Sequence, residues 1–253
     1  MNKIVEVKHL YINYQTPADE IAAVADISFD IYENEFVSIV GPSGCGKSTL
    51  LSCIAGLIAP SSGSVTVYGR PPATDGSVGY MLQRDTLFEW RNAIKNMRLG
   101  PEITGAGMTD DEIDGLIKKY NLTGFKNKYP SEISGGMRQR VALIRTLALS
   151  PKLLLLDEAF SGLDAQTRAE VSDDILKIIK CEKKTALMVT HDISESILMS
   201  DRVIVLTDRP SSVRDIIEIK LDGDNATQKR LSPDFNRYFE IIGEELKRNE
   251  RTV

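Results

Sequence analysis

The sequence has little of what disulfide-rich, zinc-binding or nucleic-acid-binding proteins depend on. Its three cysteines, Cys45, Cys53 and Cys181, are an odd number without a CxxC pair, which argues against a disulfide framework or a zinc site and favours free thiols in a reducing compartment. Positive charge is not in excess, because 31 Lys and Arg stand against 36 Asp and Glu and the formal net charge is -5. We therefore expect no nucleic acid among the partners.

Long apolar runs are also absent. No run in the sequence approaches the roughly 20 residues that a membrane-spanning helix needs, and the N-terminal residues MNKIVEV lack the apolar region of a signal peptide. If the chain serves a membrane, we expect it to do so from outside the lipid. With 253 residues, of which 42% are hydrophobic and 26% charged, it has enough apolar side chains for a sizeable core.

The apolar residues that are present follow two patterns. Alternation of apolar and polar positions over residues 3–14 and again over 27–31 predicts antiparallel strands at the start, joined by a polar loop. Later runs are apolar without alternation, which predicts strands covered on both faces and hence a parallel sheet flanked by helices. These runs are residues 36–40, 153–156, 186–189 and 203–206.

Residues 84–149 depart from this rhythm, because apolar side chains recur there at helical spacing and no strand pattern stands out. We interpret this stretch as a helical insertion in a single domain over residues 1–253, whose core is formed by residues 1–83 and 150–221. The remaining residues 222–253 predict a polar loop, over 222–232, and a closing amphipathic helix.

A glycine-rich segment directly follows the first of the continuous apolar strands. Residues 41–49, GPSGCGKST, match the GxxxxGK[ST] pattern and precede an apolar helical run. Glycines let successive backbone N–H groups turn inward around phosphate oxygens at a helix N-terminus, where the helix dipole favours anions. A chance glycine-rich turn is the alternative, and the strand and helix on either side argue against it.

This phosphate loop assigns a role to each of its polar residues. Lys47 is expected against the β- and γ-phosphates of a nucleotide, and the Ser48 hydroxyl is expected to ligate Mg2+. Cys45 lies at a variable position of the pattern and is expected to be structural, although a helix N-terminus could lower a thiol pKa. The predicted nucleotide-binding residues of the loop are Gly41, Pro42, Ser43, Gly44, Cys45, Gly46, Lys47, Ser48 and Thr49.

Chemically active side chains also follow two other predicted strands. Asp157 and Glu158 come directly after residues 153–156, at the strand ends where open α/β sheets bind ligands. Asp157 suits the Mg2+ shell, and Glu158 suits a general base for an attacking water. An acid pair at this place could instead cap a helix, but together with a phosphate loop the catalytic interpretation prevails. His191 follows residues 186–190 and could donate a hydrogen bond to a γ-phosphate.

Residues 133–141, ISGGMRQRV, resemble the LSGGQ signature motif of the ABC ATPases. The resemblance covers nearly the whole chain, from the opening strands to about Leu206. It implies an α/β fold with a P-loop NTPase core of mostly parallel strands, an N-terminal antiparallel β subdomain and an inserted α-helical subdomain. It also implies that ATP and Mg2+ are the cofactors and that the activity is ATP hydrolysis.

The resemblance implies further roles position by position. Gln83 matches the Q-loop glutamine, which contacts Mg2+ and the lytic water, and His191 matches the switch histidine. Residues 161–164, SGLD, resemble the D-loop, which places Asp164 at a dimer interface. Tyr14 matches the aromatic residue that stacks on adenine, and Tyr11 competes for that role; such stacking contributes about 1 kcal/mol beyond area burial.

In this family two cassettes pair head to tail, so the resemblance implies a second copy of the chain as partner. Ser134, Gly135 and Gly136 of one copy then complete the phosphate site of the other. Transmembrane permease subunits and, indirectly, a solute-binding protein are the other implied partners, at the cytoplasmic face of the cell membrane. Residues 87–91, LFEWR, resemble the surface that receives the permease's coupling helix, but Trp90 could equally be an ordinary core aromatic.

Three residues depart from the usual family pattern, namely Met137 for glutamine, Ala159 for proline and Gly162 for alanine. None removes a group that the chemistry requires. Met137 and the sequences of residues 134–140 and 163–168 are similar to those of the nitrate, sulfonate and taurine importer subgroup. We therefore expect an importer ATPase for a small solute of that kind or a pyrimidine-like solute, with an ABC ATPase in a non-transport role as the alternative.

Overall fold

The computed structural model describes residues 2–15, 19–223 and 226–248, and the chain divides into two compact units. Unit 1 comprises Met1–Thr74 and Thr185–Val253, and unit 2 comprises Asp75–Lys184, so unit 2 is an insertion in the sequence of unit 1. In the described part of the chain, no helix is both long and apolar enough to cross a membrane.

Unit 1 opens with an antiparallel sheet of three strands. β1 (Lys3–Gln15) lies in the middle, paired with β2 (Glu20–Tyr32) on one side and with β4 (Ser62–Val67) on the other. Val5 and Val7 of β1 are buried while Glu6 between them is not, because successive residues of a strand point to opposite faces. The predicted antiparallel start of the chain is therefore confirmed.

Parallel strands form the second sheet of unit 1. β3 (Phe36–Val40) lies between β7 (Thr185–Thr190) and β8 (Arg202–Leu206), parallel to both. Every residue of β3 and β7 is buried, as expected for strands covered on both faces. β9 (Val213–Glu218), which the apolar pattern does not predict, adds an antiparallel strand at the outer side of β8. Helices α1 (Lys47–Ile54) and α7 (Ile193–Met199) follow β3 and β7 respectively.

The C-terminal part of unit 1 contains two helices, α8 (Ala226–Leu231) and α9 (Pro233–Lys247). The predicted loop over residues 222–232 is therefore wrong for Ala226–Leu231. The polar composition misleads because the helix is anchored by tertiary contacts: Lys229 is buried, and its ammonium donates to the carbonyl of Leu198 at the end of α7 at 2.8 Å. In α9, Ile242 is fully buried in an apolar cluster with residues of α7 and β8.

Unit 2 combines a pair of parallel strands with helices. β5 (Val78–Met81) and β6 (Leu153–Asp157) pair in parallel, with Met81 opposite Leu156. The sequence between them forms four helices and two short 3-10 turns, at Thr123–Phe125 and Pro130–Glu132. The helices are α2 (Ala93–Met97), α3 (Leu99–Thr104), α4 (Asp110–Lys119) and α5 (Gly135–Leu147), and α6 (Ala165–Cys181) follows β6.

Helix α4 shows how the sequence sets a helix start in unit 2. Its N-cap Thr109 accepts from the backbone N–H of Glu112, and the Glu112 carboxylate accepts in return from the backbone N–H of Thr109. This capping box satisfies donors that a helix N-terminus would otherwise leave unpaired. Residues 84–149 contain helices and no strand within the described residues.

Candidate nucleotide-binding and catalytic site

The phosphate loop connects β3 to α1 inside unit 1. Gly46, at φ 111°, is the N-cap of α1, and Gly44 has φ 76°, a left-handed conformation that glycine adopts readily. Because Gly46 has no side chain to accept hydrogen bonds, it cannot cap the N–H groups of the first turn of α1, and these groups together with the helix dipole suit a bound phosphate.

Two contacts of this loop define the surroundings of Lys47 and Cys45. Lys47 is buried, and its ammonium donates to the carbonyl oxygens of Gly41 and Pro42 at 2.8 Å each. The Cys45 thiol lies beneath Gly41, where an added Cβ would be only 2.9 Å from the sulfur. Burial raises the pKa of the Cys45 thiol, so the geometry gives this cysteine a packing role.

Tyr14 and Tyr11 differ in their relation to the loop. The Tyr14 hydroxyl is 3.1 Å from the hydroxyl of Thr49, the last residue of the motif, and the side chain is 42% exposed. Tyr11 instead lies where β1 pairs with β4, opposite Ser62. Of the two competing tyrosines, Tyr14 is the one that the structure places against the phosphate loop.

His191 leaves the same edge of the same sheet as the phosphate loop. Val40 and Thr190, the residues before Gly41 and His191, are partners in the β3–β7 pairing. The Thr190 hydroxyl donates to the buried Glu195 and accepts from the backbone N–H of Asp192. Asp192 is in turn the N-cap of α7. The exposed imidazole of His191 therefore lies between the end of β7 and the capped N-terminus of α7.

The acid pair and Gln83 come together within unit 2. Gln83 follows β5 and Asp157 ends β6, and the two strands run in parallel. The Gln83 amide donates to a Glu158 carboxylate oxygen at 3.0 Å. Glu158 has φ 44°, a left-handed conformation that is uncommon and strained for a residue with a side chain. Such strain occurs preferentially at functional sites.

Tyr80 is a site residue that the sequence analysis did not single out. Its hydroxyl donates to Asp157 at 3.1 Å, and Asp157 is buried. This hydrogen bond holds the Asp157 carboxylate, which is costly to bury without partners. The two residues are 77 positions apart, and only the parallel register of β5 and β6 brings them together.

The signature segment and the D-loop are also neighbours in unit 2. Ser134 is exposed and is the N-cap of α5, accepting from the backbone N–H of Met137. Asp164 is the N-cap of α6, where the backbone N–H of Thr167 holds the pKa of its carboxyl below the usual range. Gly136 lies where α5 meets α6, since an added Cβ would be 2.8 Å from the Thr167 methyl.

The segment after Gln83 contains a stacked aromatic pair, of which Trp90 is exposed and Phe88 is half-buried. Trp90 is 73% exposed and stacks on Phe88 with ring centroids 4.7 Å apart. The interpretation of Trp90 as a core aromatic is therefore wrong. Asn96, which the sequence analysis missed, fixes this turn: it is fully buried, its oxygen accepts from the Phe88 N–H, and its amide donates to the carbonyls of Phe88, Arg91 and Asn92.

The comparisons with known proteins identify the family of the chain. The family model described as ABC transporter matches residues 24–161, more than half of the chain, and the protein therefore belongs to the ABC transporter family. Within that family it is an ATP-binding cassette, an ATPase of the P-loop NTPase class. The predicted α/β fold, family and activity are confirmed.

Several individual proteins are similar over most of their length. YtlC of Bacillus subtilis, an uncharacterised ABC transporter ATP-binding protein, is 42% identical over 98% of this chain and 97% of its own. The taurine import ATP-binding protein TauB of Roseobacter denitrificans is 38% identical over 83% and 80%. The nitrate transport protein NasD of Klebsiella oxytoca is 37% identical over 87% of each. TauB and NasD agree with the predicted nitrate, sulfonate and taurine subgroup.

A solved structure supports the assignment of the chain to the ATP-binding cassettes. The ATP-binding cassette MJ0796, in a dimeric post-hydrolysis state bound to ADP and Pi, matches with a TM-score of 0.74 at 29% identity. The match covers 86% of this chain and 99% of that one.

Proposed function

We propose that this protein is the ATP-hydrolysing subunit of an ABC importer, coupling ATP binding and hydrolysis to the uptake of a small anion or sulfonate, of the nitrate or taurine kind, or of a pyrimidine-like solute. The observation that carries the proposal is the similarity of this chain to a taurine import ATP-binding protein and a nitrate transport protein, over 83% and 87% of its length. A complete set of candidate catalytic residues, with Glu158 in contact with Gln83, supports it.

In this proposal Glu158 is the general base and Gln83 orients the attacking water. The 3.0 Å hydrogen bond between them supports these roles, because a base and a group that contact the same water must lie close to each other. His191 contacts the γ-phosphate from the edge of the sheet that carries the phosphate loop. Since phosphoryl transfer depends mainly on positioning and charge stabilisation, these three residues account for the chemistry.

The phosphate loop binds the ATP phosphates. Lys47 exchanges the carbonyls of Gly41 and Pro42 for phosphate oxygens, and Tyr14 stacks on the adenine. The proposed Mg2+ ligands are the Ser48 hydroxyl, the Asp157 carboxylate and the Gln83 amide oxygen, which are the oxygen donors that Mg2+ prefers. When bound, Mg2+ neutralises charge that develops on the phosphate oxygens.

We further propose that a second copy of the chain contributes Ser134, Gly135 and Gly136 to each phosphate site, with Asp164 at the interface. The exposure of Ser134 and Asp164 supports this arrangement, because a buried signature segment could not meet a partner. Each cap presents a helix N-terminus, which favours contact with an anion such as a phosphate.

The stacked pair of the half-buried Phe88 and the exposed Trp90 is the proposed docking surface for the permease, at the cytoplasmic face of the membrane. Exposed aromatic side chains held in a rigid frame are typical anchors of protein interfaces. A solute-binding protein then acts through the permease and does not contact this chain.

The substitution Glu158→Gln tests the catalytic assignment. We expect ATP turnover to be lost while ATP binding persists and an ATP-bound dimer accumulates, measured by phosphate release, nucleotide titration and size-exclusion chromatography. Glu170→Gln, the same exchange on the exposed side of α6, is the matched control and should hydrolyse ATP normally. Lys47→Ala should instead lose nucleotide affinity. Undiminished hydrolysis by Glu158→Gln would overturn the assigned base.

Purification of the tagged chain from its native membranes tests the importer assignment. We expect a permease to co-purify, and Trp90→Ala to reduce its recovery relative to Glu170→Gln. Recovery of a soluble assembly without any membrane protein would instead support the non-transport alternative.

A further inference from the structure

The segment that follows Gln83 is held from a distant helix. Asp85 and Thr86 lie two and three residues beyond the glutamine, and Thr86 has φ 45°. A β-branched residue in the left-handed region is strained, and such a conformation persists only when surrounding groups hold it in place. The groups that hold it come from α5, the helix that begins with the signature motif.

Arg145 grips the backbone of this segment. One guanidinium nitrogen donates to the Thr86 carbonyl at 2.8 Å, and the other donates to the Asp85 carbonyl at 2.7 Å and to the Thr86 hydroxyl at 3.1 Å. The planar guanidinium presents several donors in a fixed fork. It therefore donates to the two carbonyl groups from two separate nitrogens, whereas the ammonium of a lysine would have to donate to both from a single nitrogen.

Arg138 makes a second connection, at the other end of α5. Its Nε donates to the Asp85 carboxylate at 2.9 Å, and a terminal nitrogen donates to the Ile133 carbonyl at 3.1 Å. Ile133 directly precedes the signature serine Ser134. Asp85 is thus held by its carboxylate from the start of α5 and by its carbonyl from the end of that helix.

Apolar packing does not fill the space around Arg145. The arginine lines a cavity of about 310 Å³ together with Tyr80, Ile103 and Leu149. Because the cavity leaves Arg145 with fewer packing contacts on that side, its hydrogen bonds to Asp85 and Thr86 contribute more to the position of its guanidinium group.

We propose that Arg145 and Arg138 are positioning residues that tether the segment Gln83–Thr86 to α5, so that the position of the signature helix sets the hydrogen bond between Gln83 and Glu158. The inference rests on the proposed roles of Gln83 and Glu158. Ser134 is the N-cap of the helix that carries both arginines, and Trp90 follows Thr86 in the sequence. Binding of a second cassette at Ser134 and docking of a permease at Trp90 then both act on the tethered segment Gln83–Thr86.

A double-mutant cycle between Arg145 and Gln83 tests the proposal. The kcat and KM for MgATP are measured, at protein concentrations that favour the dimer, for the full chain and for Arg145→Met, Gln83→Ala and the double variant. We expect Arg145→Met to lower kcat roughly tenfold to a hundredfold, since a misplacement of about 1 Å can cost about a hundredfold in rate. KM should change by less than about twofold. In the Gln83→Ala background the same change should have no further effect, because residues that act through one group are not additive.

Matched variants separate positioning from general loss of structure. Arg98→Met removes an arginine that pairs with Asp110 at 2.8 Å on another part of unit 2, and it should retain normal kcat. Arg145→Lys keeps the charge without the fork and should lie between wild type and Arg145→Met. Should Arg145→Met lose its cooperative thermal transition, Arg145→Lys and Asp85→Asn, which keeps the Asp85 carbonyl, decide the question by the same cycle.

The outcomes separate the inference from the proposed function. A normal kcat in the Arg145 variants, or a loss that multiplies with that of Gln83→Ala, would overturn the tether while leaving the proposed function intact. A normal kcat in Gln83→Ala would overturn the role of Gln83 and the tether with it. Absence of ATP hydrolysis by the wild-type dimer would overturn the proposed function itself.

Discussion

Replacement of Gly136 by alanine tests whether the signature motif also determines how two helices pack. An added Cβ would lie 2.8 Å from the Thr167 methyl and 3.1 Å from a Val171 methyl. Both neighbours are β-branched, so their χ1 angles are restricted, and α5 and α6 must move apart to relieve the contact. Such overpacking typically costs about 1–3 kcal/mol.

Helix propensity acts in the opposite direction. Alanine in place of glycine inside a helix gains roughly 0.8–1 kcal/mol, so the expected net loss for Gly136→Ala is about 1 kcal/mol. Gly115→Ala is the matched reference, because Gly115 lies in α4 and an added Cβ there meets no atom within 4 Å. That variant should gain the propensity term alone, which places the two variants about 2 kcal/mol apart.

Urea unfolding at constant pH, followed by circular dichroism, measures this difference from the two midpoints and the slope. We expect Gly136→Ala below wild type and Gly115→Ala above it, with equal slopes. Equal midpoints for the two variants would show that the α5–α6 contact has room for a methyl group, and the packing role assigned to Gly136 would be wrong.

Three further predictions concern adenine stacking, thiol reactivity and a helix cap. Tyr14→Ala should weaken ATP binding about fivefold by the loss of stacking, whereas Tyr11→Ala should not; equal losses in a nucleotide titration would refute the choice between them. A thiol reagent at pH 8 should label the exposed Cys181 quickly and the buried Cys45 and Cys53 slowly. The thiolate is the reactive form, and burial raises the pKa of Cys53 to about 11. Equal labelling rates for the three cysteines would contradict this prediction. The hydrogen bonds from Thr109 hold the pKa of Glu112 below its usual value of 4.5. The Glu112 carboxylate therefore stabilises the fold above pH 4.5, and this contribution is lost as the pH falls through the lower pKa of the folded state. Glu112→Gln should reduce the loss of stability at acid pH, and an unchanged acid dependence would contradict the capping box.

The parts of the fold that follow from sequence are those where local pattern and tertiary environment agree. Residues 36–40 form a strand that is buried throughout, and the apolar side chains at every position but Ser38 indicate it. β9 carries Arg214, Asp215 and Glu218 among its six residues, and as an antiparallel strand at the outer side of β8 it needs no apolar pattern. α8 is polar for a similar reason, since only Ala226 and Lys229 of its described side chains are buried.

The candidate site also contains residues that the sequence identifies and residues that it does not. Gln83, Glu158 and the phosphate loop are recognisable because each carries a distinctive residue type at a fixed position of a motif. Tyr80 and Asn96 are not, because their roles depend on partners that only the folded chain supplies: a carboxylate 77 residues away for Tyr80, and three carbonyls of one turn for Asn96. Trp90 shows the limit of sequence pattern, since the sequence left a core aromatic and a surface contact equally open and the 73% exposure of the side chain excludes the core.

The hydrogen bonds of Asn96 fix the backbone conformation of the Phe88–Trp90 turn independently of which side chains the turn carries. The four hydrogen bonds that Asn96 makes in this turn all join its amide group to main-chain atoms, so exchange of Phe88 or Trp90 leaves them intact. Under the proposed docking role, the aromatic surface can therefore change residue by residue, and adapt one cassette to a different membrane protein, without rebuilding of the loop that presents it.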